Sequence, residues 1–178
     1  MDGFIRELVE LVDQTGASDV HEVGCGEGEL ARRLAARGLN VRGTDASGNV
    51  IEEARRRAEA AGVRVDFGVA DLEELEPAQD AAGLIVCCEV MEHLADADTA
   101  LSALAGLARP WAIISVPREP LWRVLNLARF KYVRALGNTP GHLSHWSRQS
   151  FVRFLDRRFE VVEVRAPIPW TMALCRTR

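Results

Sequence analysis

Lysine is almost missing from this chain: Lys131 stands alone beside a large arginine complement. That bias points to a GC-rich genome and carries no mechanism. Long hydrophobic runs are missing too, none approaching the ~18 residues of a membrane-spanning helix. The N-terminus, M-D-G-F-I-R-E-L-V-E-L-V, is amphipathic and carries acids, unlike the basic-then-apolar order of a secretory signal. The four cysteines, Cys25, Cys87, Cys88 and Cys175, form no C-x-x-C pair, so neither a zinc knuckle nor a disulfide scaffold is indicated. Reduced, buried thiols in a cytoplasmic protein are expected instead. Excess positive charge is lacking as well: the net charge is −4, which argues against a protein that coats nucleic acid. No internal repeat or low-complexity stretch appears.

What remains is the composition of one soluble domain over residues 1–178, with 48% hydrophobic and 27% charged residues. Phe4, Ile5, Leu8, Leu11 and Val12 recur at helical spacing and predict a first helix ending near Gly16. Strands are expected at Asp19–Val23, Asn40–Thr44, Arg64–Val69, Gly83–Cys87 and Ala112–Val116. Between them fall helices at Glu29–Arg37, Gly48–Ala61 and Asp96–Ala108, with a short turn near Leu72–Leu75. This alternation predicts an α/β fold with a mostly parallel sheet and helices on both faces. After Pro117 the pattern changes to a helix over Pro120–Leu136, a loop Gly137–His145, and a helix over Gln149–Arg157 that Ser147 would cap. Two last apolar segments, Phe159–Arg165 and Met172–Arg176, predict an antiparallel hairpin closing the sheet.

The organising stretch is V-H-E-V-G-C-G-E-G over residues 20–28. A β-branched run there enters a loop with Gly24, Gly26 and Gly28 at alternate positions, and a helical segment follows directly. A glycine-rich turn between a first strand and first helix is where doubly wound proteins bind nucleotide-like cofactors. About twenty residues further on, Asp45 ends the second strand, placed to accept bonds from ribose hydroxyls. To this point NAD and S-adenosylmethionine (SAM) are both open. Three features favour SAM: the loop reads G-x-G-x-G, Glu22 sits two residues before it, and the third strand ends in Asp71-Leu72, suited to an adenine amine.

These residues resemble the class I SAM-dependent methyltransferases: E-V-G-C-G-E-G at 22–28, G-T-D-A-S at 43–47, V-A-D-L at 69–72 and C-E-V-M-E-H-L at 88–94. The resemblance implies a Rossmann-like seven-stranded sheet with an antiparallel C-terminal hairpin. It places SAM against Glu22, Gly24, Cys25, Gly26, Gly28, Asp45, Ala46, Asp71, Leu72 and Cys88. His21 departs from the family, which has an apolar residue there, and is expected to be a satisfied histidine on a buried strand.

Chemistry is expected after strand four, in Glu89-Val90-Met91-Glu92-His93. If this segment turns helically, Glu89, Glu92 and His93 share one face and make a divalent-metal half-site. The segment resembles two methyltransferase groups, the ubiquinone-type phenol O-methyltransferases and the small-RNA 3′-terminal 2′-O-methyltransferases. The latter resemblance, through His142, Trp146 and Ser147, implies Glu89, Glu92, His93 and His142 as ligands of Mn²⁺, Fe²⁺ or Mg²⁺. Imidazoles favour the first two. Without a metal, His93, His142 or His145 is the candidate general base.

Residues 118–147 are expected to form a lid over the acceptor pocket. Its segment 118–136 alternates arginines with bulky apolar residues, which suits an anionic small molecule, an anionic membrane surface or an RNA backbone. The primary expectation is methyl transfer to a small-molecule hydroxyl, possessing vicinal hydroxyls if a metal takes part. The alternatives are 2′-O-methylation of RNA 3′ ends and a SAM-binding regulatory protein without catalysis. Oligomeric state is not legible.

Overall fold

The computed structural model describes residues 2–129, 139 and 143–178. The first strands are β1 (Asp19–Val23), β2 (Asn40–Asp45), β3 (Asp66–Val69), β4 (Ala82–Cys88) and β5 (Ala108–Pro117). The hairpin β6 (Phe159–Arg165) and β7 (Trp170–Thr177) completes a seven-stranded sheet in the order β3-β2-β1-β4-β5-β7-β6. The first five pair in parallel, while β7 runs antiparallel to both β5 and β6. Central β4 explains why a parallel arrangement forms: Leu84, Ile85, Val86 and Cys87 are all fully buried, so both faces of the strand need a helical cover.

That cover is divided between two cores. On one face, α1 (Asp2–Thr15), α2 (Glu29–Ala35) and α3 (Gly48–Ala61) contribute Leu8, Leu11, Leu34 and Ile51. On the other, α5 (Ala97–Leu107) and α7 (Arg148–Leu155) contribute Leu101, Leu104 and Phe151. Local chemistry ends and begins these helices. Asp96 accepts from the Thr99 N–H at 3.0 Å to start α5, and Ser147 starts α7 by accepting from Ser150 N–H at 3.1 Å.

Several boundaries differ from those expected. The strand β5 reaches back to Ala108, because register pairing with β4 starts there and continues past Pro110 to Trp111. A four-residue helix, α4 (Pro77–Asp80), was not expected; it is too short to carry a periodic signal. Its end is anchored from outside, where Arg42 reaches Asp80 at 2.8 Å. The expected helix over Pro120–Leu136 is described only as α6 (Leu121–Ala128), and residues 130–138 and 140–142, including His142, lie outside the described residues. Among the described residues no helix is long and apolar enough to cross a membrane.

His21, the departure on β1, is 1% exposed and satisfied at both nitrogens. Its Nδ1 lies 2.9 Å from the Asp80 carbonyl and its Nε2 2.9 Å from Thr44 Oγ1. Burial lowers its pKa, only partly opposed by the Asp80 carbonyl bond. It is therefore a neutral clamp between β1, β2 and α4.

Candidate cofactor and acceptor site

Strand β1 is flanked by β2 on one side and β4 on the other, so connections leave in opposite directions from their carboxyl ends. A crevice must open at such a switch point. Here it is a cavity of about 580 Å³ bordered by β1, β2, β4, β7, α1, α2 and the turn after β3.

The glycine loop forms one wall. Gly24 and Cys25 both donate their backbone N–H groups to the Thr44 carbonyl, at 2.7 and 2.9 Å, tying the loop to β2. Gly26 lines the cavity at φ +52°, and a Cβ there would meet no protein atom within 4 Å. Gly28 is different. It stands at φ +70° with Phe67 where a Cβ would be, 2.6 Å from its Cζ, and it does not line the cavity. Its role is to let the loop pack on β3 and enter α2.

Three acids reach this cavity from three strand ends. Glu22 is 5% exposed, and its Oε2 is buried without any hydrogen-bond partner. Burial pushes its pKa up to about 8, with the Ala31 N–H and the Arg32 guanidinium opposing weakly and Asp45 adding to the rise. A partnerless carboxylate oxygen facing a cavity fits a cationic ligand group such as the SAM ammonium. Asp45 accepts from Gly26 N–H at 3.0 Å and from Ser47 N–H at 2.9 Å, which orients its carboxylate along the cavity rim. Asp71 also lines the cavity, but its side chain caps the 3₁₀ turn Leu72–Glu74 by accepting from Glu73 N–H at 3.3 Å. Leu72, Ala46, Cys25 and Cys88 complete this half of the lining.

The other half is built around β4's exit. The segment after β4 does not form the single helical face that the spacing predicts. Glu89 adopts φ +61°, in the left-handed region, and only Met91–His93 turns, as a 3₁₀ helix. Glu89 and His93 line the cavity, whereas Glu92 does not and is 1% exposed, with neither carboxylate oxygen partnered. Burial raises the pKa values of Glu89 and Glu92; repulsion by Glu92 adds to the rise at Glu89, which Trp170 and Ser115 partly relieve, while His93 partly relieves Glu92. Ser115 Oγ lies 3.4 Å from Glu89 Oε1. Among the described residues, no three His, Cys, Asp or Glu side chains are arranged to hold a metal ion. His145 is exposed and does not line the cavity.

Reading along the chain missed part of the lining. Phe4 and Ile5 count there as one face of an amphipathic helix, yet they cover the cavity from α1. Trp170 starts β7, far from every motif, and packs edge-on against Phe4 at 5.1 Å between ring centroids. Trp122 of α6 packs on its other side at 6.0 Å. The rigid A-P-I-P-W run was the only local signal for it.

A 3-2-1-4-5-7-6 sheet with a glycine loop and strand-end acids around its switch point defines the class I SAM-dependent methyltransferase fold. A family profile described as a methyltransferase domain matches residues 20–111. The chain belongs to this methyltransferase family. It is 37% identical over 95 residues to the ubiquinone biosynthesis O-methyltransferase of Sinorhizobium medicae, an alignment spanning 53% of this chain and 38% of that one. With the enzyme of the same description from Rickettsia felis, identity is 30% over 170 residues, covering 91% of this chain and 68% of the relative. Thus the chain matches well under half the length of the first of these relatives. Magnesium protoporphyrin IX methyltransferase from Synechocystis PCC 6803, solved with bound SAH, superposes with a TM-score of 0.78 at 22% identity. That superposition covers 98% of this chain and 82% of the other.

Proposed function

We propose that this methyltransferase domain moves the SAM methyl group to a hydroxyl oxygen of a small molecule. The carrying observation is a single cavity lined by two chemically different sets of residues, which this reading assigns to its two ends. Glu22, Gly24, Gly26, Asp45, Ala46, Asp71 and Leu72, from the exits of β1, β2 and β3, make one set, and Glu89, His93 and Trp170, from the exit of β4 and the start of β7, make the other. The first end suits a nucleoside with an amino-acid tail: a partnerless carboxylate for the ammonium, an oriented acid for the ribose, and an apolar floor for the adenine.

In the transfer, a lone pair of the acceptor oxygen forms the new O–CH₃ bond. The S–CH₃ bond breaks toward sulfur, leaving a neutral thioether, and the hydroxyl proton departs. Alignment supplies much of the acceleration, on the order of 7–11 kcal/mol when reactants are held in line. Glu89 and His93 are the side chains at that end able to take the proton. The curated relatives are O-methyltransferases by name, which supports oxygen over nitrogen or sulfur.

Among the described residues, no lysine or arginine lines the cavity. A metal-assisted form of the reaction, through Glu89, Glu92, His93 and His142, finds support in the two partnerless oxygens of Glu92. The described residues alone do not make its ligand set. Four unpaired cysteines support a reducing compartment such as the cytoplasm.

The test is calorimetry with SAM and SAH, followed by transfer from methyl-labelled SAM to a panel of small hydroxy compounds. Binding of both with label appearing as an alkali-stable ether upholds the reading. Failure to bind either overturns it.

A further inference from the structure

Two tryptophans carry a buried indole N–H that completes no hydrogen bond: Trp146 and Trp170. Their surroundings differ. Trp146 is stacked among Phe154, at 4.6 Å, and Phe151, at 6.0 Å, and does not line the cavity. Trp170 does line it, beside Glu89. An unmade hydrogen bond from a buried donor is costly, and such groups are retained where something else completes them.

Trp170 is also firmly placed. Its backbone N–H donates to the Pro167 carbonyl, its ring is held between Phe4 and Trp122, and β7 pairs it with Pro117 of β5. A donor with so little freedom sets a position in the cavity rather than adapting to one. Beside it, the Glu89 carboxylate is near enough to be relieved by the Trp170 indole without completing a bond to it, and it accepts only a long bond from Ser115, at 3.4 Å. The left-handed backbone at Glu89, φ +61°, places this carboxylate on the cavity wall. An unpartnered donor and an underused acceptor therefore border one space.

We propose that Trp170 orients the methyl acceptor: its indole N–H donates to the acceptor oxygen, whose own O–H donates to the Glu89 carboxylate. Only a group that both accepts and donates satisfies the pair, which a hydroxyl does. The Trp170 bond uses one lone pair of the oxygen and fixes the direction of the other, the one that meets the methyl carbon. This assignment rests on the hydroxyl-acceptor reading above and gives it a residue that selects the acceptor.

The test uses the full chain saturated with SAH and catechol as the hydroxyl probe. The four indole N–H resonances are followed in ¹⁵N-labelled protein, with Trp170 assigned by its loss in Trp170→Phe. Catechol is expected to shift the Trp170 resonance downfield and slow its exchange, leaving that of Trp146 in place. Trp170→Phe keeps a ring between Phe4 and Trp122 and is expected to weaken catechol by roughly three- to tenfold, the worth of one hydrogen bond. SAH affinity should stay within about twofold. Trp146→Phe is expected to change neither affinity.

Catechol binding that leaves the Trp170 resonance unmoved overturns the proposal, as does equal affinity in Trp170→Phe. SAH binding without catechol binding overturns it as well. Failure to bind SAH instead sinks the underlying reading. Should Trp170→Phe fail to fold, assignment by selective labelling lets the wild-type titration decide alone.

Discussion

The carboxylate of Asp45 holds the backbone of Gly26: its Oδ2 accepts the glycine N–H at 3.0 Å. The acid at the end of β2 and the glycine loop after β1 are thus one unit, also joined through the Thr44 carbonyl. Removing the side chain should loosen the loop as well as remove a ligand group. Asp45→Ala is expected to weaken SAM by more than tenfold and to lower stability by about 1–2 kcal/mol, the worth of a lost charged hydrogen bond. Calorimetry and denaturant melts read the two effects separately.

Glu22 gives a cleaner separation. Its Oε2 has no protein partner, and only the Ala31 N–H and the Arg32 guanidinium favour its charge in the apo fold. Glu22→Gln is expected to keep or slightly raise stability while weakening SAM by roughly 10- to 100-fold, the range for a charge-assisted bond. Equal SAM affinity in the variant would remove the ammonium from this position.

The same residue sets a pH dependence. Burial raises its pKa from 4.5 to about 8. Between those values the folded state holds a proton that the unfolded chain has released, so apo stability should fall as pH rises through that window. Cofactor affinity should move the other way. An ammonium ligand needs the Glu22 anion, so binding near neutral pH releases a proton and strengthens as pH rises toward about 8. Calorimetry in two buffers of different ionisation enthalpy checks this, with proton release at pH ~7 lost in Glu22→Gln.

Gly28 tests the loop's packing. Its φ of +70° and the 2.6 Å approach of Phe67 Cζ to a Cβ position leave no room for a side chain. Gly28→Ala is expected to cost roughly 2–4 kcal/mol, combining left-handed strain with overpacking. A melting temperature lowered by about 5 °C or more in a domain of this size would show it.

Helix α1 covers the cavity through Phe4 and Ile5, and Arg165 of β6 holds that helix through Glu7 at 3.0 Å and Glu10 at 2.5 Å. These pairs are partly exposed, so each is worth at most about 1 kcal/mol. Arg165→Ala is expected to speed SAM release several-fold with a stability loss near ~1 kcal/mol. Stopped-flow displacement measures the release rate, and an unchanged rate would mean that α1 is held by its apolar face alone.

Much of this molecule is determined by local sequence. The order of strands and helices, the parallel sheet with its closing hairpin, the glycine loop, and the acids Glu22, Asp45 and Asp71 at strand ends are all legible. Each depends on a periodicity or a turn chemistry contained within a few residues. Tertiary structure decided the rest. Glu89, Glu92 and His93 share a helical spacing, but the left-handed turn at Glu89 breaks the phase, and Glu92 is buried without lining the cavity. Phe4, Ile5 and Trp170 reach the site only because α1 and β7 pack across the sheet's carboxyl edge from the two ends of the chain. Contacts between residues so far apart leave no local pattern, because apolar side chains are interchangeable in sequence until packing gives each a neighbour.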